Sequence, residues 1–235
     1  MISICIATYN GEKYIIDQIK SILNQINPND EIIISDDSST DGTITKIKSL
    51  KDSRIRILEG QKFYSPIYNF ENCLKNASGN VIFLADQDDV WAPDKVKIMC
   101  EYLIDHDLVL SDCEVVNDKF ETIIPSFFKF NNSKKGIIKN LYRNSYIGCC
   151  MAFNKEVLNK CLPFPKDLPM HDSYIGLVAE LKFKVKFLPN ILLFHRKHDK
   201  NTSDTSSGKS KFNFKEKIFF RLNLIKALLN IIIYD

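Results

Sequence analysis

The sequence predicts an α/β fold in which a mostly parallel central sheet is flanked by helices and followed by a C-terminal helical tail. In the first hundred residues, short apolar runs alternate with segments whose apolar residues recur every three or four positions. Strands separated by helices pair in parallel through right-handed crossovers. The chain of 235 residues is long enough for one large α/β domain.

Four short apolar runs are the predicted strands of the first half. They span residues 2–7, 31–35, 54–58 and 81–85. Helical spacing of apolar residues predicts a helix after each of the first three runs, from Tyr14 to Leu23, from Ile44 to Leu50, and around Phe70 to Leu74.

Beyond residue 90 the pattern is less regular. It predicts a helix towards Leu103, a short strand at 108–110, a buried strand at 147–153, a helix that begins at His171, and a strand at 184–188. Residues 114–144 carry a looser and more polar pattern, which we interpret as a variable excursion over the surface.

The C-terminal segments differ in composition from the rest. Residues 201–208 are rich in Ser and Thr and indicate a flexible linker. The tail, residues 209–235, carries six Lys or Arg against two acids. It also has an apolar stripe at helical spacing, formed by Ile218, Leu222, Ile225, Leu229 and Ile232. Three interpretations stay open: a basic amphipathic helix on an anionic membrane surface, a helix that docks on a partner or on the chain itself, or the start of a longer segment.

Composition excludes several classes of protein. The net charge of +3 is small, and no basic stripe with aromatic residues lies outside the tail, so we expect no nucleic-acid partner. The seven cysteines include no Cys-x-x-Cys pair, which argues against a disulfide framework or a zinc site. With no signal peptide and no run of about 18 apolar residues, we expect a cytoplasmic protein with reduced cysteines.

Carboxylates follow directly after two of the predicted strands. The carboxyl ends of parallel strands meet at one edge of the sheet, where open α/β sheets bind ligands. Clustered carboxylates repel one another unless a cation neutralises them, and Mg²⁺ or Mn²⁺ with substrate phosphates meets that need. The acids are Asp36 and Asp37 after the run 31–35, and Asp86, Asp88 and Asp89 after the run 81–85.

Seven motifs, in order over roughly the first 200 residues, give the chain a family resemblance. They lie at residues 8–11, 36–43, 69–71, 86–91 with 93–95, 147–148 with 151–154, 171–172 and 195–198. The chain resembles the inverting family 2 glycosyltransferases of the GT-A fold, and within them the bacterial rhamnosyltransferase-like members. The resemblance implies a Rossmann-like domain over residues 1–200, with a nucleotide-sugar-binding half at 1–100 and an acceptor-binding half at 101–200.

The resemblance implies a donor site for a UDP- or dTDP-sugar. The alternative interpretation of residues 36–43 is a helix N-cap with turn residues. The implied donor-binding residues are Thr8, Tyr9, Asn10, Glu12, Asp36, Asp37, Asp86, Gln87 and Arg196.

The resemblance also implies Mn²⁺ or Mg²⁺ on the donor diphosphate. Asp88 is the first choice for a direct metal contact, with Asp86 and His198 as further ligands. A divalent cation would stabilise the charge on the leaving diphosphate. As alternatives, Asp89 could cap the following turn and His198 could be a solvated surface residue.

Asp172 matches the position of the family's general base, which takes the proton of the acceptor hydroxyl. The alternative is that Asp172 and Ser173 cap the helix that follows. Acceptor contacts are assigned to Trp91, Gly148 and His171, although Trp91 could equally be a core anchor.

The resemblance as a whole implies an inverting, metal-dependent glycosyltransferase of bacterial surface polysaccharide synthesis. Its acceptor would be a glycan or a lipid-linked sugar, and residues 209–235 are a candidate peripheral contact with the inner face of the membrane. A sugar nucleotidyltransferase is one alternative, but residues 8–12 lack the Gly-rich basic loop it would need. A non-catalytic nucleotide-sugar-binding scaffold subunit is the other, and the joint presence of Asp86, Asp88 and Asp172 argues against it.

Overall fold

The computed structural model describes residues 1–199, 201 and 213–233, and over this part of the chain the strands form one mixed nine-stranded sheet. The strands are β1 (Ile2–Thr8), β2 (Glu31–Asp36), β3 (Ile55–Leu58), β4 (Val81–Asp86), β5 (Val90–Trp91), β6 (Leu108–Val116), β7 (Thr122–Ile124), β8 (Met151–Asn154) and β9 (Val185–Arg196). The helices are α1 (Ile15–Leu23), α2 (Thr43–Ser49), α3 (Pro66–Lys75), α4 (Lys95–Tyr102), α5 (Phe127–Asn131), α6 (Ile137–Tyr142), α7 (Lys155–Cys161), α8 (His171–Lys182) and α9 (Phe214–Ile233).

The first half of the sheet is parallel, as the alternation of strands and helices predicts. β1 lies between β2 and β4, and β3 pairs with β2. Helices cover these strands, so their apolar runs are buried almost throughout, as is usual for parallel sheets. Thr8 pairs with Asp36 and Ala7 pairs with Asp86, so the carboxyl ends of the three strands lie side by side.

The second half of the sheet mixes parallel and antiparallel pairs. β8 is antiparallel to both β4 and β6, whereas β9 is parallel to β6. The short β5 is antiparallel to β9. β9 is twelve residues long and ends at Arg196. Because of this length, the residues that follow β9 lie beside the acidic end of β4.

Residues 117–144 lie mostly on the surface, as predicted, but the segment 114–144 contains more regular structure than its loose pattern indicated. β6 continues to Val116, and α5 buries Phe127. In α6 the buried Asn140 donates a hydrogen bond to Glu180 of α8 at 2.9 Å, and the hydroxyl of Tyr146 donates to the same carboxylate at 2.6 Å. The polar residues of this segment serve as caps and ties, which composition alone does not distinguish from a loop.

The predicted buried strand at 147–153 is only in part a strand. Gly148–Cys150 form a short 3-10 turn, and β8 begins at Met151. A buried turn and a buried strand share the same apolar composition, so periodicity could not separate them.

The described part of the tail confirms the predicted helix, α9. Leu224, Ala227 and Leu228 are buried, and the Arg221 guanidinium donates to the backbone carbonyl oxygen of Leu141 at 3.0 Å. One face of α9 therefore docks on the chain itself. The predicted linker beyond Asn201 lies outside the described residues, and no helix within the described ranges combines the length and apolarity that a membrane span requires.

Candidate active site

Asp36 and Asp37, at the end of β2, anchor two neighbouring loops. Asp36 accepts a hydrogen bond from the hydroxyl of Thr8 at 3.0 Å. Asp37 accepts from the backbone N–H groups of Phe63 at 2.6 Å and Ser65 at 3.1 Å. Both carboxylates are buried, so the structure uses them to shape the loops that border the carboxyl edge of the sheet. Their contact with a nucleotide stays a prediction.

The turn beyond Asp37 fits the alternative interpretation in one respect. Asp41 accepts from the backbone N–H of Thr43, the first residue of α2, at 3.0 Å. The N-cap position of α2 is Gly42, so Asp41 supports the start of the helix from one residue before the cap, and Asp36 holds the turn through a hydrogen bond from the backbone N–H of Ser39 at 2.9 Å.

Asn10 and Glu12 tie the loop after β1 to the loop after β2. The side-chain oxygen of Asn10 accepts from the backbone N–H of Thr40 at 2.8 Å. The Glu12 carboxylate accepts from the backbone N–H of Gly42 at 3.0 Å, and a Cβ at position 42 would lie 2.5 Å from it. The structure thus brings the predicted donor residues of β1 and β2 together at one edge.

Gln87 joins the same edge from β4. Its side-chain amide forms two hydrogen bonds with the backbone of Tyr9, whose side chain is 55% exposed. The loop after β1 is therefore held from both neighbouring strands.

A compact cluster of metal-ligating groups lies at the end of β4. Ligand atoms of Asp86, Asp89, Cys149 and His195 all lie within 4.8 Å of one another. Asp89 is fully buried and accepts from Nδ1 of His195 at 2.9 Å and from the backbone N–H of Arg196 at 3.0 Å. Burial opposes a charged imidazole, but the negative charge of Asp89 outweighs it and raises the pKa of His195.

The pKa of Asp86 is shifted in the opposite direction from that of Asp89. Burial raises the pKa of Asp86 to about 8, and repulsion from Asp89 and Asp88 adds to the effect. A carboxyl group in this state is stabilised by a cation beside it. The carboxylate oxygens of the Asp86–Asp89 loop are ligands that Mg²⁺ or Mn²⁺ prefers, whereas the thiol of Cys149 and the imidazole of His195 in the same cluster are not needed for such an ion.

Asp88 meets the loop that follows β9. One of its carboxylate oxygens lies 2.8 Å from Nε2 of His198 and 3.3 Å from the side-chain nitrogen of Asn201. Asn201 also donates to the backbone oxygen of Arg196 at 3.1 Å. Two of the predicted metal residues, Asp88 and His198, are thus in contact, which argues against a freely solvated His198. Sequence reasoning missed Asn201 because it opens the polar segment assigned to the linker.

Arg196 anchors that loop between two aromatic rings. Its guanidinium carbon lies 4.6 Å from the ring centroid of Tyr14 and 4.7 Å from that of Phe120. The side chain is only 5% exposed, and its guanidinium also lies 3.5 Å from the carboxylate of Asp17. His198 stacks on Tyr14 as well, with 4.7 Å between the ring centroids. A direct contact of Arg196 with the donor stays a prediction.

Asp172 lies in the first turn of α8 and is buried. The N-cap position is Met170, so Asp172 is not the cap of this helix. Burial raises the pKa of Asp172 to about 6, against hydrogen bonds from Ser173 that oppose the rise. A carboxylate of this kind suits a general base near neutral pH.

Gly148 and His171 pack behind Asp172. A Cβ at Gly148 would lie 3.2 Å from Nε2 of His171 and 3.6 Å from Cβ of Asp172. The ring of His171 packs at a tilt against that of Phe70, with 4.3 Å between the centroids, and burial lowers the pKa of His171 to about 4, so the ring is neutral. This packing fixes the position of Asp172, and a contact of either residue with the acceptor stays a prediction.

The turn Gly148–Cys150 connects the two acidic groups. Gly148 packs against Asp172, and the next residue, Cys149, contributes its thiol to the cluster at the end of β4. The fully buried ammonium of Lys95 donates to the backbone oxygen of Cys149 at 2.6 Å. Sequence reasoning gave neither Cys149 nor Lys95 a role in the site, because nothing in their spacing marks this contact.

Trp91 belongs to the core. It is 3% exposed, with its ring 5.4 Å from that of Phe83 and 4.6 Å from the ammonium of Lys95. This burial favours the core-anchor alternative over stacking on an acceptor.

Comparison with known proteins gives the family of the chain. Residues 3–162 match the sequence model of Glycosyl transferase family 2. The dTDP-rhamnosyl transferase RfbG of Shigella flexneri is 38% identical over 246 residues, which cover 94% of this chain and 78% of RfbG. The UDP-Glc:alpha-D-GlcNAc-diphosphoundecaprenol beta-1,3-glucosyltransferase WfgD of Escherichia coli is 28% identical over 214 residues, which cover 90% of this chain and 81% of WfgD.

Solved structures show the same fold. S. aureus TarS 1-349 in complex with UDP-GlcNAc superposes with a TM-score of 0.72 at 20% identity, covering 95% of this chain and 66% of that one. The mannosyltransferase PcManGT from Pyrobaculum calidifontis, in complex with GDP-Man and Mn²⁺, gives 0.67 at 19% identity, covering 85% and 58%. The chain thus spans less than two thirds of these solved chains. The predicted GT-A fold is confirmed, and the chain belongs to glycosyl transferase family 2.

Proposed function

We propose that the chain transfers a sugar from a UDP- or dTDP-sugar to a lipid-linked glycan acceptor, with inversion, in bacterial surface polysaccharide synthesis. One observation carries the proposal: an acidic cluster at the end of β4 is joined by a buried turn to a second, separate carboxylate, Asp172. The reaction has two requirements: the charge on the leaving diphosphate must be stabilised, and the acceptor hydroxyl must lose a proton. The acidic cluster would meet the first by holding a cation, and Asp172 would meet the second. The names of RfbG and WfgD support the choice of a dTDP- or UDP-sugar as donor.

Mn²⁺ or Mg²⁺ would be held by Asp88, with Asp86 and His198 as further ligands. Carboxylate oxygens and an imidazole nitrogen fit these ions, and PcManGT was solved with Mn²⁺. When bound, the ion supplies positive charge that stabilises the leaving diphosphate.

Asp172 would take the proton of the acceptor hydroxyl. As that oxygen bonds to the anomeric carbon, the bond from the anomeric carbon to the diphosphate breaks on the opposite face, which inverts the configuration. Burial supports this role because it makes the ionised carboxylate a stronger proton acceptor than an exposed Asp.

The tail helix α9 supports a peripheral contact with the inner face of the membrane. The apolar stripe that the sequence predicts on α9 is exposed, and so are Phe214 and Phe219. The described part of the tail also carries Lys215, Lys217, Arg221 and Lys226 against Glu216. An apolar stripe with basic neighbours fits an anionic lipid surface. Such a surface is where a lipid-linked acceptor of the kind named for WfgD resides.

The donor site is tested by thermal unfolding of the full chain with UDP, dTDP or GDP, each with and without Mn²⁺. Ligands held by the folded state raise the midpoint by mass action. We expect a metal-dependent rise with UDP or dTDP and a smaller one with GDP, followed by transfer from the matching sugar nucleotide. A folded protein whose midpoint does not respond to any of them would contradict the proposal.

The membrane contact is tested by sedimentation with vesicles of phosphatidylglycerol or of phosphatidylcholine. We expect binding to the anionic vesicles only, and loss of binding in the double variant Leu222→Glu and Leu229→Glu. Equal sedimentation of this variant and the wild type would contradict the assignment of α9.

A further inference from the structure

We propose that Gln87 is a positioning residue that couples cation binding at the Asp86–Asp89 loop to nucleotide binding at the loop after β1. The inference rests on the proposed function, since it concerns the same donor site. It assigns Gln87 a role other than the direct donor contact that the resemblance implies.

The side-chain amide of Gln87 acts as a clamp on one peptide unit. The backbone N–H of Tyr9 donates to the Gln87 side-chain oxygen at 3.0 Å, and the Gln87 side-chain nitrogen donates to the backbone oxygen of Tyr9 at 3.1 Å. The two residues are 78 positions apart in the sequence. Both bonds require an amide, because a carboxylate cannot donate and a hydroxyl cannot span both atoms.

The clamp continues the sheet into the two loops. The parallel pairing of β1 and β4 ends at Ala7 and Asp86. The clamp lies just beyond that pair, where the strands have ended and the loops carry the predicted nucleotide and metal residues. The clamp therefore links the two loops beyond the last backbone pairing between β1 and β4.

Gly11 leaves the space that this amide occupies. A Cβ at position 11 would lie 2.3 Å from the Gln87 side-chain oxygen, which no ordinary contact allows. The backbone N–H of Gly11 donates to the hydroxyl of Thr43 at 2.8 Å. The contact therefore extends from Gln87 through the loop after β1 to the start of α2.

Coupling follows from the position of Gln87 between Asp86 and Asp88. Asp89 and Asp88 repel the carboxylate of Asp86, so a cation bound beside them would reduce this repulsion and favour one arrangement of the loop. Because the Gln87 side chain holds the Tyr9 peptide, the same arrangement sets the loop on which the nucleotide would bind. Two ligands that favour one arrangement bind cooperatively, and the coupling is reciprocal.

The test compares the dissociation constant of UDP, or of dTDP if that binds more tightly, in EDTA and at saturating Mn²⁺. The dissociation constant in EDTA divided by that at saturating Mn²⁺ measures the coupling, and this ratio does not depend on the affinity for the metal. We expect Gln87→Met, which keeps the length but removes both hydrogen bonds, to lower this ratio by about 5-fold or more. Gln87→Ala should give the same loss, and the direct attraction of the diphosphate to the ion accounts for the coupling that remains.

Glu12→Ala is the matched control. Glu12 ties the same loop to Gly42 and Lys46, which follow β2, and the described contacts of its carboxylate do not include the Asp86–Asp89 loop. Its loss should weaken nucleotide binding equally with and without Mn²⁺ and leave the ratio unchanged. An equal fall of the ratio in Glu12→Ala would show that any loosening of the loop has this effect, and would overturn the proposal.

The outcomes separate this inference from the proposed function. A wild-type ratio in both Gln87 variants, with normal binding by the wild type, would overturn the inference alone. A folded wild-type chain that binds neither UDP nor dTDP at saturating Mn²⁺ would overturn the proposed function, and the inference with it.

Discussion

Asp86, which is partly buried, and Asp172, which is buried, both have a raised pKa, but the structure raises the two pKa values in different ways. For Asp86, burial acts together with repulsion from Asp89 and Asp88, and the pKa is raised to about 8. For Asp172, burial raises the pKa to about 6 with no neighbouring charge among its causes. The charge of Asp86, which has two acids beside it, is stabilised by a cation, whereas Asp172, with no charged neighbour among the causes of its shift, is suited to take up a proton. One kind of perturbation therefore supports two different chemical roles.

The largest effect is expected from a change in the acidic cluster at the end of β4. In Asp88→Asn we expect kcat/KM for sugar transfer to fall about 10³-fold, because the charge that stabilises the leaving diphosphate is no longer held in place. Steady-state assays with the donor identified by thermal unfolding measure this. Asp105→Asn, on the exposed surface, is the control and should match the wild type. Wild-type kinetics in Asp88→Asn would remove Asp88 from the metal site.

The next largest effect is expected from a change at Asp172, the separate carboxylate. In Asp172→Asn we expect kcat to fall about 10²- to 10³-fold with an unchanged dissociation constant for the nucleotide, because only proton removal is lost. Single-turnover transfer and equilibrium binding measure the two quantities separately.

The pH profile is the control for that assignment. Asp172 accepts a proton only when ionised, so wild-type kcat/KM should rise with pH through an apparent pKa of about 6. The residual activity of Asp172→Asn should lack this acidic limb. An acidic limb at the same position in the variant would assign it to another group.

A third prediction concerns stability, which depends on the difference in proton binding by Asp172 between the folded and unfolded states. The folded state raises the pKa of Asp172 from 3.8 to about 6, so it binds the proton more tightly than the unfolded state. Stability from this group is thus greatest at low pH and is lost as the pH rises to about 6. Asp172→Asn should therefore raise the free energy of unfolding at pH 8 by up to about 3 kcal/mol, with a smaller gain at lower pH. Urea denaturation at several pH values measures this, and a variant that is less stable at pH 8 would contradict it.

The smallest effect concerns the turn between the two groups. In Gly148→Ala the new methyl group would press on His171 at 3.2 Å and shift the first turn of α8. We expect kcat to fall about 10-fold while nucleotide binding with Mn²⁺ stays normal, because misplacing a catalytic group costs rate. A loss of nucleotide binding with unchanged kcat would show that the turn serves the metal side instead.

The parallel half of the fold could be predicted because its signals are local. Each of β1, β2 and β4 is an apolar run that ends in polar residues, and parallel pairing places those ends together whatever the details of side-chain packing. The convergence of Thr8, Asp36 and Asp86 at one edge followed from this rule and is confirmed by the strand register.

The contacts that complete the site could not be predicted in the same way. Asp89 meets His195 across 106 positions, and Asp88 meets Asn201 across 113. These contacts depend on the length of β9 and on its register against β6, which no local periodicity specifies. Cys149 gave no signal either, because a buried thiol in an apolar run has the same pattern as a core residue.

Burial also changed what the motif residues do. Trp91 and Arg196 are both almost fully enclosed by protein, which favours the core-anchor alternative for Trp91, while the donor contact of Arg196 stays a prediction. A motif marks a position in the sequence, but only the packing around it distinguishes a ligand contact from an anchor.

The most direct test of separate tasks for the two acidic groups is nucleotide binding by Asp88→Asn and Asp172→Asn, measured side by side with and without Mn²⁺. The account predicts that Asp88→Asn loses the metal-dependent part of binding and that Asp172→Asn retains all of it. Equal loss in both variants, or none in Asp88→Asn, would contradict the assignment of the cation to one group and the proton to the other.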